Sequence, residues 1–136
     1  MSELENARHL LAGRLATDYL LRAAEGVNLT LDGDLTMGLV FLAVVRANCL
    51  LAPGAACRPI SGGALSASLR IPAETVRRKV KSLIEAGYLR RERGGLVAAP
   101  DALKRPEIAR VMRANYLCLK RLMRQLKRLG LDAASA

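Results

Sequence analysis

The chain has 136 residues, enough for one domain with an apolar core and too few for two independent ones. Hydrophobic residues make up 51 % of it, which argues against disorder, and aromatic residues only 3 %, which removes the stacking platforms of single-stranded nucleic-acid binders. The net charge is +10, but residues 1–69 carry five basic and six acidic side chains, whereas residues 70–136 carry seventeen and six. This asymmetry indicates a polyanionic partner, with a solvated basic face as the alternative.

The cysteines and the single histidine do not form a metal site. Cys49, Cys57 and Cys118 are odd in number and widely spaced, and with His9 as the only histidine they do not match a four-ligand zinc pattern. We expect three buried thiols in a reducing, cytoplasmic compartment and no cofactor, with redox sensing as the alternative for the cysteines. No acid pair, G-x-S-x-G motif or phosphate loop stands out, so the sequence predicts no catalytic residues and no enzyme.

The hydrophobic segments do not indicate a membrane protein. Residues 1–5 lack the apolar stretch of a signal peptide. The longest apolar run, residues 35–52, contains Arg46 and Asn48, which would be costly inside a bilayer. We therefore expect a buried helix there and no membrane partner.

The first half of the chain predicts two helices, together spanning residues 3–51. Apolar residues recur at helical spacing over residues 3–25, and Gly26 is expected to end that helix before a turn at residues 28–33. Asp34 is expected to cap a second, mostly buried helix that runs to about Leu51 and stops at residues 52–54.

The second half predicts two short helices, a hairpin and a long helix. The short helices cover residues 62–69 and 73–86, and Gly87 is expected to cap the second. Two short strands flank Gly94–Gly95, the dipeptide typical of a two-residue hairpin turn. A final helix over residues 102–129, with Pro106 in its first turns, carries an apolar stripe at spacings of three and four residues. The predicted fold class is mainly α with a small β-hairpin, in a single domain of residues 1–136.

The segment 73–86 has the pattern of a helix that reads the major groove. Its apolar residues share one face, whereas polar residues occupy the rest, namely Glu74, Thr75, Arg77, Arg78 and Lys81. Leu65, Leu69 and Ile71 are expected to support it from behind. The alternative is an ordinary amphipathic helix.

Residues 60–89 resemble, without gaps, the helix-turn-helix of the cyclic-AMP receptor protein family, most closely at Glu74-Thr75-Val76 with Arg78. The resemblance implies a winged helix-turn-helix over residues 60–99, with helices added at both ends. It implies that Glu74 accepts from cytosine N4, that Arg78 binds base edges or phosphate, and that Thr75 and Ser61 bind phosphate. Arg77 is assigned to base reading and Lys81 to phosphate on their position alone.

Two departures from the family pattern limit what the resemblance implies. Ala73 replaces the family's base-reading arginine, so the half-site is not inherited. Arg70 replaces the usual turn glycine, so the turn must place a non-glycine residue at positive φ or bend differently. The likeness covers about 30 residues, and no cyclic-nucleotide domain precedes it, so that ligand is not implied.

The hairpin adds a second cationic element. Arg90, Arg91 and Arg93 precede its tip, where the wings of this fold approach phosphates or the minor groove. The segment 88–98 is therefore assigned to phosphate binding, with an exposed hairpin of ordinary charges as the alternative.

The long apolar stripe of helix 102–129 predicts a homodimer, whose two-fold symmetry would match a palindromic DNA site.

Together these features predict a sequence-specific double-stranded DNA-binding transcriptional regulator. The alternatives are a winged-helix module that binds protein and an architectural DNA-binding protein, against which Glu74 argues because a carboxylate repels phosphate. The question of a small-molecule effector stays open, since no cluster of polar residues marks a pocket for one.

Overall fold

Over the described residues the chain is mainly helical with one two-stranded antiparallel hairpin, which confirms the prediction of a mainly α fold with a small β-hairpin. The computed structural model describes residues 2–48 and 58–132. Its elements are α1 (Glu3–Thr30), α2 (Leu35–Asn48), α3 (Gly62–Leu69), α4 (Ala73–Glu85), β1 (Leu89–Glu92), β2 (Gly95–Ala98), α5 (Pro100–Leu103) and α6 (Pro106–Arg128). They divide into two compact units, the first with residues 2–27 and 110–132 and the second with residues 28–48 and 58–109.

The second unit contains the buried core. Helix α2 contributes the most buried side chains, including Val40, Phe41 and Val44, because it is apolar on most sides and packs on α3, α4 and β2. Leu65 of α3, three residues of α4 and Leu89 and Leu96 of the hairpin complete one aliphatic cluster. Burial of this apolar surface is the main stabilising contribution.

One buried polar side chain ties the hairpin to the helices. Asn48, at the end of α2, is 4 % exposed. Its Nδ2 donates to the carbonyls of Arg58 and Leu96 at 2.7 and 3.2 Å, and its Oδ1 accepts from the backbone N–H of Ala98 at 2.8 Å. The amide thereby binds backbone groups of two separate segments, the one before α3 and β2.

The chain before α3 pairs with the hairpin as a short third strand. Ile60 forms an isolated antiparallel bridge with Leu96, with N–H···O distances of 3.1 and 2.8 Å. A Cβ on Gly95 would lie 2.5 Å from the carbonyl oxygen of Ile60. Glycine at position 95 is therefore required for this close approach of two backbones.

Two element boundaries differ from the sequence-based expectation. Helix α1 continues past Gly26 to Thr30, because the positive-φ residues that end it are Asp32 and Gly33. The hairpin turn consists of Arg93 and Gly94 rather than Gly94–Gly95, since Glu92 pairs with Gly95. The predicted end of the second helix near Leu51 lies outside the described residues.

The predicted helix 102–129 is in fact two helices. Pro106 lacks the backbone N–H that would donate to the carbonyl of Ala102, and it disfavours helical backbone at Arg105, the residue before it. Arg105 instead donates its backbone N–H to Ala102 at 3.1 Å, which closes α5 with a tight turn. Pro106 then occupies the first position of α6, where a missing N–H has no consequence.

The first unit is a pair of helices without a buried core. Residues 2–27 of α1 lie antiparallel to residues 110–132, since Arg8 Nη2 donates to the carbonyl of Gly130 at 2.7 Å and Tyr19 Oη donates to Asn115 Oδ1 at 2.9 Å. Not one of the residues described in this unit is buried.

Within residues 2–48 and 58–132, the search for a transmembrane helix found no single helix of sufficient length and hydropathy.

Replacing Asn48 by alanine should destabilise the second unit by about 1–3 kcal/mol, because the buried Ala98 N–H loses its hydrogen-bond acceptor and the carbonyls of Arg58 and Leu96 each lose a donor. The free energy of unfolding from urea titration followed by circular dichroism measures the effect. Asn28→Ala is the matched control, since no hydrogen bond of the Asn28 side chain exists among the described residues. Equal stability of the two variants would contradict the role given to Asn48.

Candidate nucleic-acid interface

Helix α4 has one face in the core and the opposite face in solvent. Val76, Val80 and Leu83 are at most 2 % exposed and belong to the apolar cluster. Residues Glu74, Arg77, Arg78 and Lys81, spaced by three, one and three positions, form a single exposed stripe on the other side. The two faces agree with the expectation for this helix. Leu65, Leu69 and Ile71 pack behind it, as predicted.

The turn between α3 and α4 places Arg70 in the left-handed region, with φ 53° and ψ 42°. Of the two alternatives left open for the position of the usual turn glycine, the structure has the non-glycine residue at positive φ. The Ser66 hydroxyl fixes the turn by donating to the carbonyl of Ile71 at 2.6 Å, while the Ile71 N–H donates to the carbonyl of Ser66 at 3.3 Å. The Arg70 side chain is exposed at the start of α4.

Glu74 and Arg77 form an ion pair at the leading end of α4. Arg77 donates from Nε and Nη2 to the two carboxylate oxygens of Glu74, at 2.9 and 2.6 Å. This fork lowers the pKa of the Glu74 carboxyl and raises the pKa of the Arg77 guanidinium, and both side chains remain more than 60 % exposed. The pair orients the Glu74 carboxylate. The lone pairs of its oxygens that Arg77 does not use can still accept hydrogen bonds.

Lys79 is the one cation of α4 that faces inward, and the sequence analysis did not assign it. Its Nζ donates to Asp34 Oδ2 at 2.6 Å, and Asp34 Oδ1 accepts from the Met37 N–H at 2.9 Å as the predicted cap of α2. The hydrogen bond from Lys79 is the main reason why the pKa of Asp34 is lowered, with the Met37 N–H second. Lys79 thus anchors α4 to the start of α2.

Ser61 and Thr75, both assigned to phosphate, lie at helix N-termini. Ser61 is the N-cap of α3, where its Oγ accepts from the Ala64 N–H at 3.1 Å and keeps its own proton to donate. Thr75 lies in the first turn of α4 and is half-buried at the flank of the exposed stripe. Backbone N–H groups at such termini favour anions.

The three arginines of the hairpin differ in their contacts. Arg90, Arg91 and Arg93 are all exposed, but Arg90 is paired with Glu92 on the same strand. For Arg91 and Arg93 the described part of the chain offers no ion-pair partner. Two of the three predicted phosphate ligands therefore carry uncompensated charge.

Arg58 is a further cation that the sequence analysis did not assign to the interface. It is exposed and precedes Pro59, whose side chain lies 3.7 Å from where a Cβ of Gly94 would be. The Ile60–Leu96 bridge thus brings Arg58 to the side of the hairpin turn. A one-residue bridge leaves no periodic pattern in the sequence, so no signal could have placed Arg58 there.

Arg105 connects the end of α4 to the hairpin rather than contributing charge to the exposed stripe. Its guanidinium lies 4.3 Å from the ring centroid of Tyr88, and Nη2 donates to the carbonyl of Ala86 at 3.1 Å. Tyr88 in turn packs edge-on against Phe41 at 5.6 Å. This stacking fixes the link between α4 and β1.

The structure gives no reason to add a metal to this interface. Among residues 2–48 and 58–132, no three histidine, cysteine or acidic side chains come together. Cys118 is half-buried on α6, while Cys49 and Cys57 lie outside the described residues.

A scan against protein-family models and searches of curated proteins and of solved structures found no match to this chain.

Asp34→Asn should reduce stability at pH 7 by about 1 kcal/mol, because the ion pair with Lys79 is lost while an asparagine can still cap α2. The pKa of Asp34 is lowered in the folded state, so its contribution is complete above the unfolded-state pKa of about 3.9 and disappears as the pH falls through the folded value. The difference between wild type and variant should therefore vanish in acid.

Urea titrations from pH 7 down to pH 2 measure this difference. Asp32→Asn is the matched control, because it removes an exposed carboxylate from the same turn without changing the partner of Lys79. A stability gap between wild type and Asp34→Asn that stays constant across the pH range would show that the carboxylate charge has no part in the effect.

Proposed function

We propose that the protein is a sequence-specific double-stranded DNA-binding transcriptional regulator of the winged helix-turn-helix class that acts in the cytoplasm. The observation that carries the proposal is the division of α4 into a buried apolar back and an exposed stripe of Glu74, Arg77, Arg78 and Lys81. A rigid helix held in this way fits the major groove, where base edges present distinct donor and acceptor patterns.

The leading end of α4 would read bases. Glu74, held by Arg77, accepts from cytosine N4 with the lone pairs that the guanidinium leaves available. Arg78, one turn along, donates to guanine or to phosphate. Because the carboxylate is already oriented in the free protein, little side-chain entropy is lost on binding.

The hairpin would serve as the wing and fix the position of the duplex. Arg91 and Arg93 carry uncompensated charge, and Arg90 contributes less because Glu92 neutralises it. Ser61, Thr75 and Lys81 supply further phosphate contacts from α3 and α4. These contacts set affinity and salt dependence but carry no sequence information.

A homodimer would present two copies of α4 to a palindromic site, with half-sites about one helical turn apart. No effector is assigned, and a small molecule that changes the dimer remains compatible with this function.

The competing function is a module that binds an acidic protein through the same surface. A DNA affinity that falls steeply with salt favours the regulator, whereas indifference to DNA favours the module.

Arg78→Ala should weaken binding to a selected duplex by about 1–3 kcal/mol and relax the preference at one base pair. Arg91→Ala should weaken selected and random duplexes alike and lower the salt slope by about one. Fluorescence anisotropy with duplexes enriched from a random library, at several salt concentrations, measures both effects. Lys104→Ala, an exposed cation beyond the hairpin, is the matched control and should bind like wild type. If Arg78→Ala and Arg91→Ala both retain wild-type affinity, α4 and the hairpin do not contact DNA as proposed.

A further inference from the structure

The first unit exposes apolar residues along two helical stripes. On α6 the stripe consists of Met112, Tyr116, Leu119 and Met123, which are 37–59 % exposed. On α1 it consists of Leu10, Gly13, Thr17, Leu20 and Ala24, and Leu21 borders it. Both stripes follow alternating spacings of three and four residues, the repeat of helices that pack along their length.

Neither stripe is used by the contact between α1 and α6. The residues of α1 that meet α6 are Arg8, Tyr19 and Gly26, which lie about 150° around the helix axis from the α1 stripe. On α6 the apolar stripe lies about a quarter turn from Val111 and Asn115, which meet α1. Each helix therefore has a second apolar face that its partner in the pair leaves uncovered.

The α1 stripe contains a depression at Gly13. A Cβ at this position would meet nothing within 4 Å, and the space above it is a shallow groove that is open to solvent. Its lining combines Leu10 and Thr17 with Asn6, His9 and Arg14. A bulky side chain from another helix could fill this hole, as a knob does in helix packing.

We infer that a second copy of this chain docks on the first unit, with the apolar stripe of α6 from one copy seated over Gly13 on α1 of the other. Two helices cannot enclose a core, so the apolar stripes stay exposed until a second copy covers them. An isologous contact uses the same surface twice, so each α6 lies on the partner's α1 and the two α6 helices lie at opposite corners, apart from each other.

The exposed area matches what a stable dimer requires. The four residues of the α6 stripe, with Leu10, Leu20 and Leu21 at 63–72 % exposure, together correspond to about four fully exposed large side chains. At roughly 200 Å² each they offer about 800 Å² per copy, the size of a standard interface.

The charges select which helices meet. Residues 110–128 of α6 carry seven basic and no acidic side chains, so two α6 helices side by side would repel each other. Residues 3–27 of α1 carry four acidic and three basic side chains, so α1 accepts α6 without this penalty. The inference deepens the homodimer of the proposed function, but its test requires no DNA.

The test is Gly13→Leu, which fills the groove over α1. In the single chain the new side chain meets open space, and leucine favours helix over glycine by about 1 kcal/mol, so the isolated fold should gain stability. If a second copy docks there, the dissociation constant of the Gly13→Leu dimer should be at least tenfold higher than that of the wild-type dimer. Ala7→Leu adds the same side chain at an exposed position a third of a turn away on α1, and should leave the dimer intact.

Sedimentation velocity from 1 to 100 µM in 50–300 mM NaCl gives the dissociation constants, and circular dichroism confirms that the helices remain. A monomeric wild type overturns the inference and leaves the stripes to a different partner, and a Gly13→Leu dimer as tight as wild type overturns the docking site. Binding of a single half-site duplex by a monomeric Gly13→Leu variant, measured separately, tests the proposed function alone.

Discussion

The side-chain amide of Asn48 fixes where the hairpin lies relative to the helical core. It is the one buried polar side chain among the described residues, and each of its hydrogen bonds ends on a backbone group of the hairpin or of the segment before α3. Apolar packing alone is non-directional and would tolerate small slips of β2 along α2. The three hydrogen bonds remove that freedom, and the positions of Arg91, Arg93 and Arg58 all follow from the register they set.

The basic residues of the second unit fall into two groups with different tasks. Lys79 and Arg105 have partners within the fold, where they join α4 to α2 and α4 to the hairpin. Arg78, Lys81, Arg91 and Arg93 are exposed, and no ion pair between any of them and a described residue occurs. The formal charge therefore overstates what the second unit offers to a polyanion, and within that unit α4 and the hairpin carry much of the exposed, unpaired charge.

The elements with a strong local signal could be predicted from the sequence. The bounds of α3, those of α4 to within one residue, and the cap at Asp34 follow from residue type and spacing alone. The errors arise where tertiary contacts decide. Gly26 does not end α1, and Gly95 is needed for the approach of Ile60 rather than for the turn. The partners of Lys79 and Asn48 are distant in sequence, and no periodicity could pair them.

At Arg70 a single residue lowers the stability of the fold and adds positive charge to the exposed surface. A side chain in the left-handed region costs roughly 1–2 kcal/mol relative to a residue in ordinary helical backbone, and glycine would avoid most of this cost. Arg70 is exposed, so burial of its side chain does not offset the strain. What the arginine adds is a positive charge beside the N-terminus of α4, where the backbone N–H groups also favour an anion. The turn is therefore strained for the fold, and under the proposed function its charge is suited to a phosphate.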